Sequence, residues 1–277
     1  DHLQLSSSLG RNYLLDYPFI TNKNELQAEI DCLARTITLL ENGDYRLKIN
    51  HIRQQLHQIN DITPTLKLLA QDIVLDDIQL FEIKKTALLT RGIAADLSQL
   101  PDTLFELEKM DTVIALLDPE HTQIPHFYIY SAYDNALAEW RKQAQLAKNQ
   151  NDAERFRREA QQIEDRIRKQ LTTQIRDYQA AMIQNIRKLA HLDLLIAKAQ
   201  MAIDWHCCRP EISETTDLQQ LFNPEVAEAL ALKGRQFQPV DIRFGKETVL
   251  VTGANMAGKS VLLKTVSLAQ YLFQFGF

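Results

Sequence analysis

Apolar side chains recur along the first hundred residues at spacings of three and four, the period that places them on one face of a helix. Leu26, Ile30, Leu33, Ile37 and Leu40 form one such stripe. Ile52, Leu56, Ile59 and Ile62 form a second, which the pattern predicts to stop at Pro64. A third runs through Ile78, Leu80, Ile83, Ala87 and Leu88, continues past Gly92 to Leu97 and Leu100, and ends at Pro101. Pro119 and Pro125, with the aromatic cluster Phe127, Tyr128 and Tyr130, predict a break between helices over 118–130. The helical pattern resumes from Ser131 through Leu137, Trp140 and Ala144 to the polar stretch Lys148–Asp152, a predicted turn. Asn151 followed by Glu154 has the spacing of a capping box there.

Beyond that turn the period persists through Phe156, Ala160, Ile163, Ile167, Leu171, Ile175, Tyr178, Met182, Ile186 and Leu189. No Gly or Pro falls between Asp152 and Cys208. Fifty-odd residues of unbroken helix would reach roughly 80 Å, which predicts a projecting arm. The pattern changes after Pro210. A short helical patch is predicted near Val226–Leu232, an extended block at Phe237–Phe244, a turn at Gly245-Lys246 and a strand at Thr248–Thr252. A domain boundary is therefore expected near 207–215. The expected domains are a helical core over 1–130, long helices over 131–208 and an α/β domain begun at 209–277. The fold class is mainly α.

The 277 residues carry a formal net charge of −5, and 45% of them are hydrophobic, a globular balance rather than a disordered one. The overall acidity argues mildly against a dedicated nucleic-acid-binding domain, but charge is segregated locally. Between Arg141 and Arg176 ten basic residues face five acidic ones (Asp152, Glu154, Glu159, Glu164, Asp165). Interleaved acids favour a solvated coil face laced with i,i+4 pairs. The competing reading is a tip that meets the DNA backbone. Three cysteines do not make a disulfide framework, and Cys207-Cys208 after His206 lacks the spaced partner pair of a zinc site. No apolar run of about 18 residues marks a membrane span, so no membrane contact is expected; the reduced-cysteine pattern suits the cytoplasm, the expected compartment.

The chemistry is concentrated in Gly253-Ala254-Asn255-Met256-Ala257-Gly258-Lys259-Ser260, which fits the P-loop (Walker A) pattern G-x-x-x-x-G-K-[ST] at every fixed position. The glycines let backbone N–H groups turn inward toward phosphate oxygens. Lys259 can reach the β- and γ-phosphates, and Ser260 can give its oxygen to Mg²⁺. A helix start adds a dipole that favours an anion. The apolar run Val249-Leu250-Val251 before the motif and the amphipathic Val261–Leu272 after it supply the strand–loop–helix context. ATP with Mg²⁺ is the expected ligand.

Thr252–Ser260 resembles the MutS-family loop TGPNMGGKS, with Ala254 for Pro and Ala257 for Gly. Leu192-Asp193-Leu194-Leu195, Ala197 and Arg209-Pro210-Glu211-Ile212 are similar to that family's LDvl…A…RPei segment. Phe237–Ile242 resembles its F-[VI]-[PA]-N-D-[IL] block, whose aromatic lies against adenine. Val240 stands where that block has Asn, and Asn223-Pro224 replaces the family's His-Pro. The resemblance is good over about the last 85 residues and weak before them. It implies a helical core, lever helices and a dimerising ATPase that acts on DNA in mismatch repair or recombination, with Phe237 added to the nucleotide site. The family's clamp and its mismatch-reading domain have no counterpart here beyond the turn at 149–152. The chain is expected to be a fragment of a longer protein, with ATPase activity in the full-length homodimer and no ATP turnover of its own. Two other readings are a nucleotide-switched dimeric scaffold that touches no DNA, and an SMC-like tether. The tether is disfavoured because its P-loop precedes the coil.

Overall fold

A computed structural model of the chain describes residues 3–101, 104–254 and 258–277. Helices dominate, and the sheet found among these residues has two strands. Two compact units divide the chain: residues up to Asp16 with Thr36–Met201, and Tyr17–Arg35 with Ala202–Phe277.

The first unit contains α1 (Ser8–Leu15), the end of α2 (Lys23–Glu41), α3 (Gly43–His57), α4 (Thr63–Ala70), α5 (Asp77–Leu97), α6 (Asp111–Leu117), α7 (Asn135–Leu146), α8 (Gln150–Arg176) and α9 (Gln179–Asp204) through Met201. Side-chain oxygens start most of these helices by accepting otherwise orphaned N–H groups. Ser7 accepts from Gly10, Asn42 from Asp44, and Asp134 from Ala136. Asp76 and Gln79 close a full capping box at α5. Pro64 does not merely stop the preceding stripe. It occupies the first turn of α4, where the missing N–H is harmless.

The core of this unit gathers Ile49, Ile52 and Leu56 of α3, Leu80, Ile83, Ile93 and Leu97 of α5, and Val113 and Leu117 of α6. Gly92 of α5 faces α3, where a Cβ would stand 2.7 Å from Oε1 at the end of the Gln55 side chain. Lys84 and Asp118 are fully buried as an ion pair of 3.0 Å. The ammonium also donates to the His126 carbonyl and the Tyr130 hydroxyl, both at 2.9 Å, so all three of its protons are used. Burial pushes the Asp118 carboxyl up. Hydrogen bonds from the Gln123 amide, Thr122 and Lys84 more than reverse this and hold it at about 2. The proline-containing loop 118–130 is thereby strapped to α5.

The expected continuous helix after residue 152 is two helices, α8 and α9, interrupted at Asp177-Tyr178 although no Gly or Pro lies there. The tightened turn, with Tyr178 N–H on the Ile175 carbonyl, falls among three side chains turned onto residues 66–75. Thr172 accepts the Leu75 amide, Arg176 donates to the Leu69 carbonyl and Gln179 to the Leu66 carbonyl. The second half of the expected arm is core. Leu192 through Ala199 are buried on every face of α9, the charged Asp193 and Lys198 among them. α7 and α8 pair as a hairpin, with Trp140 stacked on Phe156 at 5.6 Å. Its turn is capped by Asn149, which accepts from Asp152; the expected cap, Asn151, lies inside the helix.

The second unit contains most of α2, the strand β1 (Thr216–Leu221), α10 (Pro224–Ala231), the strand β2 (Val240–Phe244) and α11 (Lys259–Gln274). β1 and β2 are antiparallel, pairing Thr216 with Phe244 and Leu218 with Ile242. The register shifts between Leu218 and Leu221, where Gln220 has φ 52° and gives its N–H to Asp241 Oδ1. β1 was not foreseen, because TDLQQL lacks the β-branched alternation of a half-buried strand. The expected strand at 248–252 does not form: the segment has no regular structure, and Leu250 is 84% exposed. A strand needs a ladder partner for its N–H and C=O groups, and the described residues supply none. Phe19 packs against Tyr271 and Phe275 while Ile20 N–H bonds the Gln274 carbonyl, fastening residues 17–20 to the end of α11. Among the described residues no helix is long and apolar enough to cross a membrane.

Candidate nucleotide site

The start of α11 is built by one glycine and one lysine. Gly258 sits at its N-cap with φ 83°, a left-handed conformation that a Cβ would strain. Among the described residues no side chain caps the helix, and the helix dipole favours an anion at this end. Lys259 turns its ammonium back onto the Gly253 carbonyl at 2.7 Å and the Ala254 carbonyl at 2.6 Å. Lys259 thus ties the first residues of the loop to the start of the helix. Ser260 follows in the first turn and is exposed. Asn255, Met256 and Ala257 lie outside the described residues. Phe237 is half-buried three residues before β2. Among the described residues, no hydrogen bond or ring contact joins it to the loop.

Thr265, which sequence reasoning passed over, helps to hold this helix. Its buried hydroxyl donates to the Val261 carbonyl one turn back and accepts from Asn223 Nδ2 at 3.2 Å. Asn223 uses its other end, Oδ1, to cap α10 through the Val226 amide. The Asn-Pro dipeptide carried the signal: an N-cap residue followed by proline at the first helical position.

The basic stretch 141–176 divides in two. Arg141 pairs with Glu164 at 2.7 Å, Arg166 with Asp134, Arg168 with Asp77 and Asp165, and Arg176 with Asp72. Pairing with Asp77 holds the Arg168 guanidinium above its ordinary value despite burial. These pairs chiefly join helices rather than lace one face. Lys142, Lys148, Arg155 and Arg157 are exposed and make no ion pair among the described residues, and Arg158 reaches Glu154 only at 3.9 Å. The tip of the α7–α8 hairpin thus carries five basic side chains (Lys142, Lys148, Arg155, Arg157, Arg158) beside three acidic ones (Asp152, Glu154, Glu159), a modest basic surplus.

Fold and site together define a mainly helical protein with a glycine-entered, lysine-clasped loop at the head of its last helix. No protein-family model matches the chain. It is 36% identical to the endonuclease MutS2 of Pediococcus pentosaceus over 115 residues, covering 41% of this chain and 14% of that protein. It is 30% identical to endonuclease MutS2 of Acetivibrio thermocellus over 166 residues, 59% of this chain and 20% of the relative. The DNA mismatch repair protein MutS of Phocaeicola vulgatus is 32% identical over 119 residues, 41% of this chain and 14% of that protein. The matches thus span a fifth or less of each relative's length, and over that stretch the chain is related to the MutS family.

Proposed function

We propose that the chain forms part of a MutS-like ATP-binding protein that acts on DNA, in mismatch repair or in recombination. Backbone N–H groups of 253–260 would cradle the phosphates, Lys259 would hold the β- and γ-phosphates, Ser260 would contribute to Mg²⁺, and Phe237 would lie against the base. Bound ATP and Mg²⁺ supply a concentrated charge that this loop can read. Residues 131–208 act as the lever between a helical core over 1–130 and an ATPase domain begun at 209–277. ATP hydrolysis, homodimerisation and a cytoplasmic location are proposed for the full-length protein. The observation that carries the nucleotide reading is the Lys259 ammonium seated on the Gly253 and Ala254 carbonyls before an uncapped helix. The DNA reading draws on relatives named as an endonuclease and a DNA mismatch repair protein, and the basic surplus at the hairpin tip is compatible with it.

The test is binding of a fluorescent ATP analogue, with Mg²⁺, to the chain and to its Lys259→Ala variant. A charge-assisted contact is worth about 1.5–3 kcal/mol, so affinity should fall roughly 10- to 100-fold with helical content unchanged. Equal affinity in the two proteins would refute the site.

A further inference from the structure

α9 ends in a turn that exposes two adjacent thiols. His206 N–H bonds the Ile203 carbonyl and Cys207 N–H reaches back to the Ala202 carbonyl at 2.9 Å, with His206 at φ 52°. This is the left-handed helix closure usually given to glycine. It pins the Cys207 amide and releases Cys207 and Cys208 into an irregular segment where both residues are exposed; the third cysteine, Cys32, is buried. Partial burial of the Cys207 sulfur, with Cys208 adjacent, pushes its thiol up.

Adjacent Cα atoms are about 3.8 Å apart across a trans peptide, below the roughly 4.4–6.8 Å span of ordinary disulfides. A direct S–S bond here would be strained and easily reduced. A single bridging atom that bonds both sulfurs holds them farther apart and relieves that ring. Zinc does not suit the place, because it takes four ligands and the described residues offer no group of three or more His, Cys, Asp or Glu able to hold a metal.

We propose that Cys207-Cys208 is a two-thiol chelating site for a monosubstituted trivalent arsenical, R–As(OH)₂. Each sulfur forms one As–S bond as one As–O bond breaks. Each thiol proton leaves with the departing hydroxide as water, so the product is R–As(S)₂ with two waters released and no change of oxidation state. The first bond makes the second intramolecular, which raises apparent affinity by about 10²–10⁴-fold.

The experiment treats the full chain with phenylarsine oxide and follows intact mass. One adduct per chain is expected, persistent in excess glutathione and stripped by a dithiol such as 2,3-dimercaptopropanol. Cys207→Ser and Cys208→Ser should each lower apparent affinity by at least about 100-fold, so glutathione removes the adduct, whereas Cys32→Ser should retain it. Should a serine variant lose helical content, protection in the native chain decides: the adduct should shield two thiols from N-ethylmaleimide. Persistence of the adduct in either folded single variant, shielding of fewer than two thiols, or no persistent adduct in the parent would overturn the proposal.

Discussion

Replacing Gly10 with alanine tests how tightly the N-terminal segment is locked onto α9. Asp193 is buried in α9 and accepts three hydrogen bonds: from the Ser6 amide at 2.9 Å, the Ser7 amide at 2.8 Å and the Ser7 hydroxyl at 2.6 Å. A Cβ on Gly10 would lie 2.9 Å from the Asp193 Cγ and 3.1 Å from its Cβ, with Oδ2 nearer still. The carboxylate cannot retreat without giving up bonds worth about 1.5–3 kcal/mol each, and forcing an extra methyl into a packed site costs about 1–3 kcal/mol. Alanine recovers only about 0.5–1 kcal/mol of helix preference. Gly10→Ala should therefore destabilise the first unit by about 2–4 kcal/mol. Asp193→Ala should cost about 3–5 kcal/mol, because it leaves buried donors unpaired. In that background the carboxyl is gone, and Gly10→Ala should be nearly neutral. Urea unfolding followed by Trp140 fluorescence in a Trp205→Phe parent reports the first unit alone, since Trp140 belongs to it and Trp205 does not. The cycle should show a coupling of at least about 2 kcal/mol. An equal cost for Gly10→Ala in both backgrounds would refute the lock.

The remaining expectations concern charge. Asp118 is held at about 2, below its ordinary 3.8, so its contribution is complete above pH 4 and disappears as pH falls from 4 to 2. A shift of that size corresponds to about 2 kcal/mol. Lys84→Met should cost about 3–5 kcal/mol at neutral pH by stranding the buried carboxylate, and the deficit should narrow in acid; a constant gap between pH 7 and pH 2 would contradict this. At the hairpin tip, the triple change Lys148→Ala, Arg155→Ala, Arg157→Ala should weaken duplex-DNA binding equally across sequences. It should also lower the salt slope of binding by up to about 3, near 0.9 for each phosphate that is no longer neutralised. An unchanged slope would remove the tip from the DNA-binding surface.

The apolar stripes at three- and four-residue spacing, the break at 118–130 and the P-loop motif with its following helix were legible along the chain, because helix formation and a glycine-rich turn are local events. The phosphate chemistry proposed for Lys259 rests on that motif's residue types and spacing. Other features depend on partners distant in sequence. The run 152–208 has one period, yet it breaks at Asp177-Tyr178 among side chains that bond residues 66–75, and Leu192–Ala199 in its second half are buried on every face. β1 exists through its ladder with β2, while the more strand-like Thr248–Thr252 has no ladder and stays exposed. Asp193 reads as one polar interruption of a leucine run until Ser6 and Ser7, some 186 residues away, place their donors on it. Periodicity fixes which face of an element is apolar; whether that face meets water, a helix or a strand is set by the rest of the fold, because burial and hydrogen bonding belong to pairs of segments and not to either one.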